Sequence, residues 1–476
     1  MNDSRYILRR AQKEAIAKAL PLMRHGGGFG IWMEQRVGKT RTALEIVAQC
    51  RPTHLWIICP KAGGAAPEVW WHEVEKCTPL LPVLADLQIT VQNYEWWTRK
   101  EYRNNRRRVY VEAQAIKDLF VICDEAHFIK TRGTTRSGVV RRIGKYAKWR
   151  LALTGTPIAQ GLQDAWALYD FIDPSIFGRF DNVWEYDKAT KRPVRLIEEG
   201  FDGRYLIWGG FKKRDIVGYN NEQEFYEKFH AHSYRVTLRE AREQKLVVKY
   251  TTVPVTLASP ARKAYEELKT ELVTVINKTK IRVKNVLACL IKCQQVTGGS
   301  VLDRGDSQGQ LPIVDFLDLG REKLDALCKV VSVLSSTIKF IVVARFIHEI
   351  ERITAVLCEL HFRVQQVYSG AKYDHKFDCD CLVMQIQSGV AVDMSQADVI
   401  IYYSLDYSLI NFEQSRFRIL NYTKPFVQYF FLIATDTVDE VIYAAIMQKK
   451  KVSQYVCDVY RYEQKAVDAL LPTSNR

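Results

Sequence analysis

Two short stretches carry side chains whose chemistry can be stated directly. Val37-Gly38-Lys39-Thr40 lies inside IWMEQRVGKTRTALE at 31–45, where an apolar approach (Phe29, Ile31, Trp32) meets a turn and Ala43, Leu44, Val47 and Ala48 then recur at helical spacing. Strand, loop and helix in that order form the context of a phosphate loop. Successive backbone N–H groups and the positive helix end cradle a phosphate, Lys39 reaches the β/γ oxygens, and the Thr40 hydroxyl ligates Mg²⁺. Met33 stands where the general pattern G-x-x-x-x-G-K-[ST] has its first glycine, so the textual match is partial. The second stretch, Asp124-Glu125-Ala126-His127, closes the apolar run Phe120-Val121-Ile122-Cys123. Carboxylates at the carboxyl end of a buried strand sit on the rim where open α/β sheets bind ligands. There Asp124 would hold Mg²⁺ through its water shell, and Glu125 would orient or deprotonate the attacking water.

These residues need strands that bring their ends to one edge. LWIICP at 55–60 is a short continuous apolar run, as in a parallel strand buried on both faces, and it leads to Lys61 and the segment Glu68-Val69-Trp70-Trp71-His72-Glu73. LQITVQNY at 87–94 is another strand ending in polar residues, and Leu151-Ala152-Leu153 ends on the hydroxyls of Thr154-Gly155-Thr156-Pro157. Four strand ends thus face one nucleotide. Upstream, an amphipathic helix from Tyr6 through Leu20 carries Gln12, whose amide both donates and accepts. It can read an adenine edge or be a solvated helix residue. RKEYRNNRRR at 99–108, with Arg106, Arg107 and Arg108, is a solvated loop or a set of phosphate contacts.

Residues 178–235 are poor in strand signals and rich in Tyr, Trp, Gly and charge, which predicts a helical and loop elaboration. VVKYTTVPVTL at 247–257 reads as a strand, followed by a Ser-Pro helix start, helices to Thr297 and an exposed loop over 300–311. A second α/β pattern then has strands at 339–344, 362–367, 381–386 and 399–403, with a helix over 347–360. The expected fold class is α/β, with two parallel-sheet lobes in tandem and helical elaborations between them. Lobe 1 is expected over 1–235, with its elaboration at about 160–235; lobe 2 is expected over 236–476, with a helical insertion at about 258–300.

A net charge of +15 in 476 residues favours a polyanionic partner, nucleic acid or an anionic membrane surface. Membrane is the weaker option, since no apolar run approaches the roughly 20 residues of a spanning helix. The start MNDSRYILRRAQ lacks the apolar segment of a signal peptide, so a cytoplasmic protein is expected. Eleven cysteines, an odd number and mostly in apolar surroundings, read as thiols in a reducing compartment, with neither disulfides nor a structural metal expected.

GKT, DEAH and LTGTPI in this order resemble a superfamily 2 helicase core, and within it the Swi/Snf-type double-stranded DNA translocases and their compact phage-encoded relatives. Nearly the whole chain takes part: Leu8-Arg9-Arg10-Ala11-Gln12 is similar to the adenine motif, ICPK at 58–61 and QNYE at 92–95 to further motifs, and VGYNNEQEF with HSYRVT to the end of the first lobe in phage members. Gln387-Ser388-Gly389-Val390-Ala391-Val392-Asp393 resembles the motif at the interface with DNA and ATP, with Ala391 where glycine is usual. Gln414-Ser415-Arg416-Phe417-Arg418 resembles the arginine-finger motif; Arg418 falls on its first arginine and Asn421 on its second, so Arg416 substitutes for the missing charge or one finger suffices.

The resemblance implies two RecA-like lobes, ATP and Mg²⁺ as cofactors, and hydrolysis coupled to lobe closure. It implies Lys39, Asp124, Glu125, Arg418 and Arg416 as catalytic residues, Arg9, Gln12, Val37, Gly38, Lys39, Thr40 and Gln414 around the nucleotide, and Thr40 and Asp124 on the metal. Lys61, Asn93, Tyr94, Arg106, Arg107, Arg108, Ser388 and Gly389 would contact nucleic acid. The expected activity is that of a monomeric, DNA-stimulated ATPase moving along duplex, forked or branched DNA without regard to sequence, in the host cytoplasm if phage-encoded. A strand-separating RNA helicase and a nucleic-acid-independent ATPase switch remain as alternatives.

Overall fold

Apolar runs that end on polar residues form two six-stranded sheets, one in each of two compact units, Met1–Glu243 and Gln244–Arg476. The computed structural model describes residues 7–61, 67–102, 108–158, 161–187, 189–209, 215–242, 245–271, 273–276, 279–282, 286–304, 314–335, 337–368, 377–387, 394–420 and 424–448. Each sheet is parallel throughout, so the architecture is the RecA-like α/β one implied by the motifs.

In the first unit the strands are β1 (Gly27–Met33), β2 (His54–Cys59), β3 (Gln88–Asn93), β4 (Leu119–Asp124) and β5 (Trp149–Leu153), then β6 (Val183–Tyr186), β7 (Pro193–Glu198), β8 (Leu206–Gly209), β9 (Asp215–Tyr219) and β10 (Ser233–Val236). The sheet order is β10-β1-β5-β4-β2-β3. All six residues of β4 are buried, because helices cover both faces; each large apolar side chain there contributes about 1.5–3 kcal/mol relative to exposure. Gly28 allows β1 to meet the helix Gln163–Ile172, since a Cβ would lie 2.3 Å from the Ile172 carbonyl oxygen. The consequence is positional. With β5 between β1 and β4, the phosphate loop and the DEAH carboxylates leave the same edge roughly 10 Å apart, two strand spacings.

Two expectations for this unit are corrected. The stretch 160–235 is not helix and loop alone: β6 pairs with β7 and β8 with β9 as antiparallel hairpins, followed by the helix Glu222–Ala231. Strands this short, exposed on both faces over β7, leave no alternating pattern to read. The boundary at 235/236 also moves, to 243/244. β10 adds to the edge of β1 through Gly30–Ser233 to Met33–Val236, and the Leu238 N–H donates to Glu34 Oε2 at 2.9 Å, which ties the helical turn Leu238–Ala241 to the first unit.

The second unit contains β11 (Val247–Val255), the hairpins β12 (Val273–Ile276) with β13 (Thr279–Arg282) and β14 (Ser300–Arg304) with β15 (Val314–Asp318), then β16 (Phe340–Ala344), β17 (Val364–Val367), β18 (Cys381–Gln385), β19 (Val399–Tyr402) and β20 (Phe426–Ala434). Its sheet order is β11-β20-β19-β16-β18-β17. The helical insertion at 258–300 is therefore two helices, Ser259–Glu271 and Val286–Thr297, separated by a hairpin, and the loop expected from 300 begins as a strand. β20 is not among the expected strands, although FVQYFFLIA has the same continuous apolar character as the other buried strands.

Candidate nucleotide site and nucleic-acid contacts

β1 delivers the chain at Met33, and residues 34–38 turn it into the helix Lys39–Cys50. The left-handed positions of this loop are Arg36 (φ 66°) and Gly38 (φ 101°), not Met33, which explains why a side chain is tolerated where the general pattern has glycine. Gly38 is required twice over: its φ is unsuited to other residues, and a Cβ would lie 2.5 Å from Gln12 Nε2. Gln12 is correspondingly buried against the loop rather than solvated. Its Nε2 donates to the Gly38 carbonyl at 3.3 Å and its Oε1 accepts the Arg9 N–H at 2.9 Å, while Arg9 itself is exposed. Lys39 Nζ donates to the Met33 carbonyl at 3.2 Å, folded over the loop it would open towards a phosphate. Thr40 is half-buried in the first helical turn. Val37 is core, with its N–H turned to the Glu34 carbonyl at 3.4 Å, so its expected contact with the nucleotide does not come from its side chain.

Across the edge, Asp124 is held by three elements. Its Oδ2 accepts the Trp70 indole N–H at 2.8 Å, its Oδ1 accepts the Glu125 N–H at 2.9 Å, and its carbonyl accepts the Tyr94 hydroxyl at 2.6 Å. Burial first, and the adjacent Glu125 second, push the Asp124 carboxyl above its ordinary range, while Lys39 and the Trp70 N–H pull it down. Glu125 lies in the left-handed region (φ 47°), which turns its carboxylate out of the strand line. His127 Nδ1 stands 3.2 Å from Glu125 Oε2 and 3.2 Å from Thr154 Oγ1, so one imidazole links the second carboxylate to the hydroxyl at the tip of β5. Thr154 Oγ1 also accepts the Thr156 N–H at 3.2 Å, and a Cβ on Gly155 would sit 3.5 Å from the Met33 carbonyl, placing this loop beside the end of β1.

Trp70 is the member of the site that sequence reasoning missed. Trp70, Val74 and Cys77 form the buried stripe of the helix Pro67–Cys77, a spacing that announces burial but not the contact with Asp124. Among the expected nucleic-acid residues, Lys61 is exposed just beyond β2. Asn93 caps the helix Tyr94–Tyr102, its Oδ1 accepting the Trp96 N–H at 2.8 Å. Tyr94 is corrected: its ring is 1% exposed and its hydroxyl is engaged at Asp124, so it supports the carboxylate and offers no face to a nucleic acid. Arg106, Arg107, Ser388, Gly389 and Asn421 lie outside the described residues, and for Arg108 only the backbone at the start of the helix Arg108–Ala115 is described.

In the second unit the helix Leu409–Phe417 is capped by Ser408, whose side chain accepts the Asn411 N–H. Gln414 is half-buried on it, and Arg418 is largely buried at its carboxyl end. Arg416 is committed within its own unit: its guanidinium contacts Glu413 and donates to the Tyr250 hydroxyl at 2.7 Å. The edge beyond β16 and β19 is filled by side chains of the unit itself, where Ser404 Oγ donates to Glu349 Oε2 and Lys323 Nζ pairs with Asp439 Oδ2, each at 2.5 Å.

The first unit's donor set suits magnesium bound together with a nucleotide. Mg²⁺ takes hard oxygen ligands, usually one or two carboxylates with substrate phosphates and water. Each Asp124 oxygen accepts one N–H and keeps a lone pair. Among the described residues no group of three His, Cys, Asp or Glu is placed to hold a metal, so Thr40 and Asp124 would need phosphate oxygens to complete the shell.

A family model described as the SNF2-related domain matches residues 56–298. The chromatin-remodeling ATPase INO80 of Mycosarcoma maydis is 29% identical over 175 residues, 32% of this chain and 9% of that protein. INO80 of Saccharomyces cerevisiae is 28% identical over 210 residues, 38% of this chain and 14% of that protein. The match therefore spans a small part of these relatives' length. In fold, the chain is similar to the Hef helicase domain of Pyrococcus furiosus, with a TM-score of 0.51 and 12% identity, covering 92% of this chain and 98% of that one.

Proposed function

The chain belongs to the SNF2-related family, and on that premise we propose that it is an ATP-driven motor that moves along DNA and remodels forks or branched junctions. The observation that carries the reading is that the phosphate loop and the DEAH carboxylates leave the same edge of one parallel sheet, with β5 between their strands. In this site Lys39 and the loop N–H groups bind the phosphates, and Gln12, held against Gly38, reads the adenine edge; its place beside the loop supports that role. Thr40 and Asp124 would hold Mg²⁺, whose chemistry there would be neutralisation of phosphate charge. Glu125 orients and accepts a proton from the attacking water, and His127 links that carboxylate to Thr154, so a change at the tip of β5 is transmitted to the base. We propose Arg418, on the motif that resembles an arginine finger, as the residue that neutralises charge developing on the transferred phosphate; within the second unit Arg416 fixes the helix that carries it through Glu413 and Tyr250.

The net charge of +15 and the family support DNA as the track, held through its phosphates and hence without sequence preference. The test is ATP turnover with single-stranded DNA, duplex DNA, a branched junction and RNA in turn. Turnover raised most by the duplex or junction is the expected result. Equal turnover with and without nucleic acid would leave only an ATPase switch, and stimulation by RNA alone would move the reading to an RNA helicase.

A further inference from the structure

The β6–β7 hairpin presents large apolar side chains to solvent in a way the nucleotide site does not explain. Trp184 is 41% exposed, Tyr186 55%, Val194 67% and Ile197 61%, and every residue of β7 is exposed. A two-stranded hairpin with no covered face is marginal by itself, and a protruding aromatic patch of this kind marks a binding surface. Its arms are uncovered, but its root is clamped. Gly200 N donates to Asn182 Oδ1 at 2.8 Å, Phe201 N to the Arg179 carbonyl at 2.9 Å and Asp202 N to the Phe180 carbonyl at 3.0 Å. Arg132, three residues beyond the helical turn that follows Glu125, pairs with Asp181 at 2.7 Å and lies 4.3 Å over the Phe180 ring. The hairpin therefore stands on the segment that carries the DEAH residues.

The side chains decide what it meets. Trp184 faces Leu196 across the pair, Glu185 faces Arg195, and Asp187 is consumed in the tip, where it accepts the N–H groups of Ala189 and Thr190 at 3.0 and 2.6 Å. Lys191 and Arg192 are exposed cations at the tip beside the exposed Trp and Tyr, while Glu198 lies at the root, opposite Val183. Aromatic faces flanked by cations are the chemistry of base stacking with backbone neutralisation.

We propose that the β6–β7 hairpin binds the unpaired bases of DNA, stacking them on Trp184 and Tyr186 where a duplex opens at a fork or junction. The inference rests on the reading of the chain as a DNA motor and adds to it a place where strands are told apart. The test compares the wild-type chain with the double variant W184A/Y186A and with W184F/Y186F, all outside the nucleotide site. Fluorescence anisotropy is read with a labelled oligothymidine, a blunt duplex and a fork with two unpaired arms, alongside turnover without DNA and light scattering. Loss of an aromatic platform weakens binding roughly tenfold per base. The expected result is that W184A/Y186A loses at least that factor on oligothymidine and fork, keeps the affinity for blunt duplex and the DNA-independent turnover, and that W184F/Y186F recovers most of the loss.

Equal affinities of W184A/Y186A and wild type on all three probes would overturn the hairpin proposal and leave the motor reading intact. A wild type that binds none of the probes would overturn both. Oligomers of the wild type that disappear in W184A/Y186A, with DNA affinity unchanged, would make the hairpin a contact between copies of the chain and overturn it too.

Discussion

Replacing Trp70 by Phe tests whether the candidate site is organised as described, because it keeps an aromatic ring in the helix Pro67–Cys77 and removes only the N–H aimed at Asp124. The bond is 2.8 Å long, Trp70 is 1% exposed and Asp124 6%, so water cannot replace the lost donor well. A hydrogen bond to a charged group in such surroundings is worth about 1.5–3 kcal/mol. Supporting residues around metal ligands typically change metal affinity by about 10–100-fold, the same range. The sign for pH follows from the N–H favouring the ionised carboxylate. Burial already holds the Asp124 carboxyl high, and loss of the donor raises it further, so metal-competent Asp124 is lost at higher pH as the solution is acidified. At about 1.4 kcal/mol per pH unit, the acid limb of turnover should move up by roughly one to two pH units. The assay is steady-state ATP hydrolysis as a function of magnesium concentration and pH, with thermal unfolding as control. Trp70→Phe should raise the magnesium midpoint about 10–100-fold and lower Tm by about 2–4 °C for each kcal/mol of the lost bond. Magnesium and pH curves that superimpose on the wild type would refute the role assigned to this contact.

Other outcomes follow from the same geometry. Lys39→Ala should abolish turnover, a loss on the order of 3 kcal/mol or more in transition-state stabilisation, and leave the fold intact because Lys39 lies on a rim; Glu125→Gln should retain nucleotide binding and lose hydrolysis, both read by binding and turnover assays. Gly38→Ala should lower both Tm and nucleotide affinity, since its Cβ would strike Gln12 at 2.5 Å on a left-handed backbone; Gln12→Ala, measured beside it, should weaken nucleotide binding without the strain. Arg418→Ala should cut turnover about 10³-fold with nucleotide Kd nearly unchanged. Arg416→Ala should act differently, lowering Tm through loss of the Glu413 and Tyr250 contacts while turnover of the folded protein changes by less than about twofold.

Most strands of both sheets are legible because a parallel strand covered on two faces needs an unbroken apolar run, and β4 and β5 end abruptly on Asp-Glu and Thr-Gly-Thr; β10 and β20 are the exceptions. The hairpins are not legible on that principle: β6 and β7 have no buried face, and their residues follow no period. The Trp70–Asp124 contact joins residues 54 apart in sequence through the packing of a helix on the sheet, which local spacing does not encode. Beside Asn93 at a strand end, Tyr94 reads as outward-facing in sequence; its ring turns inward because the helix Tyr94–Tyr102 starts there and buries it against Cys123 and Asp124. Gln12 shows the converse: an amide on a helix that sequence leaves undecided is settled by the missing side chain at Gly38.

On the proposed function, ATP hydrolysis in the first unit drives movement along duplex DNA. Displacement of a third strand from a DNA triplex measures that movement without requiring the duplex to open. The wild-type chain should release the third strand in the presence of ATP and magnesium, more slowly as salt rises, while Glu125→Gln binds ATP and DNA and releases none. Release by Glu125→Gln at the wild-type rate, or no release by a wild-type chain that hydrolyses ATP on the same DNA, would contradict it.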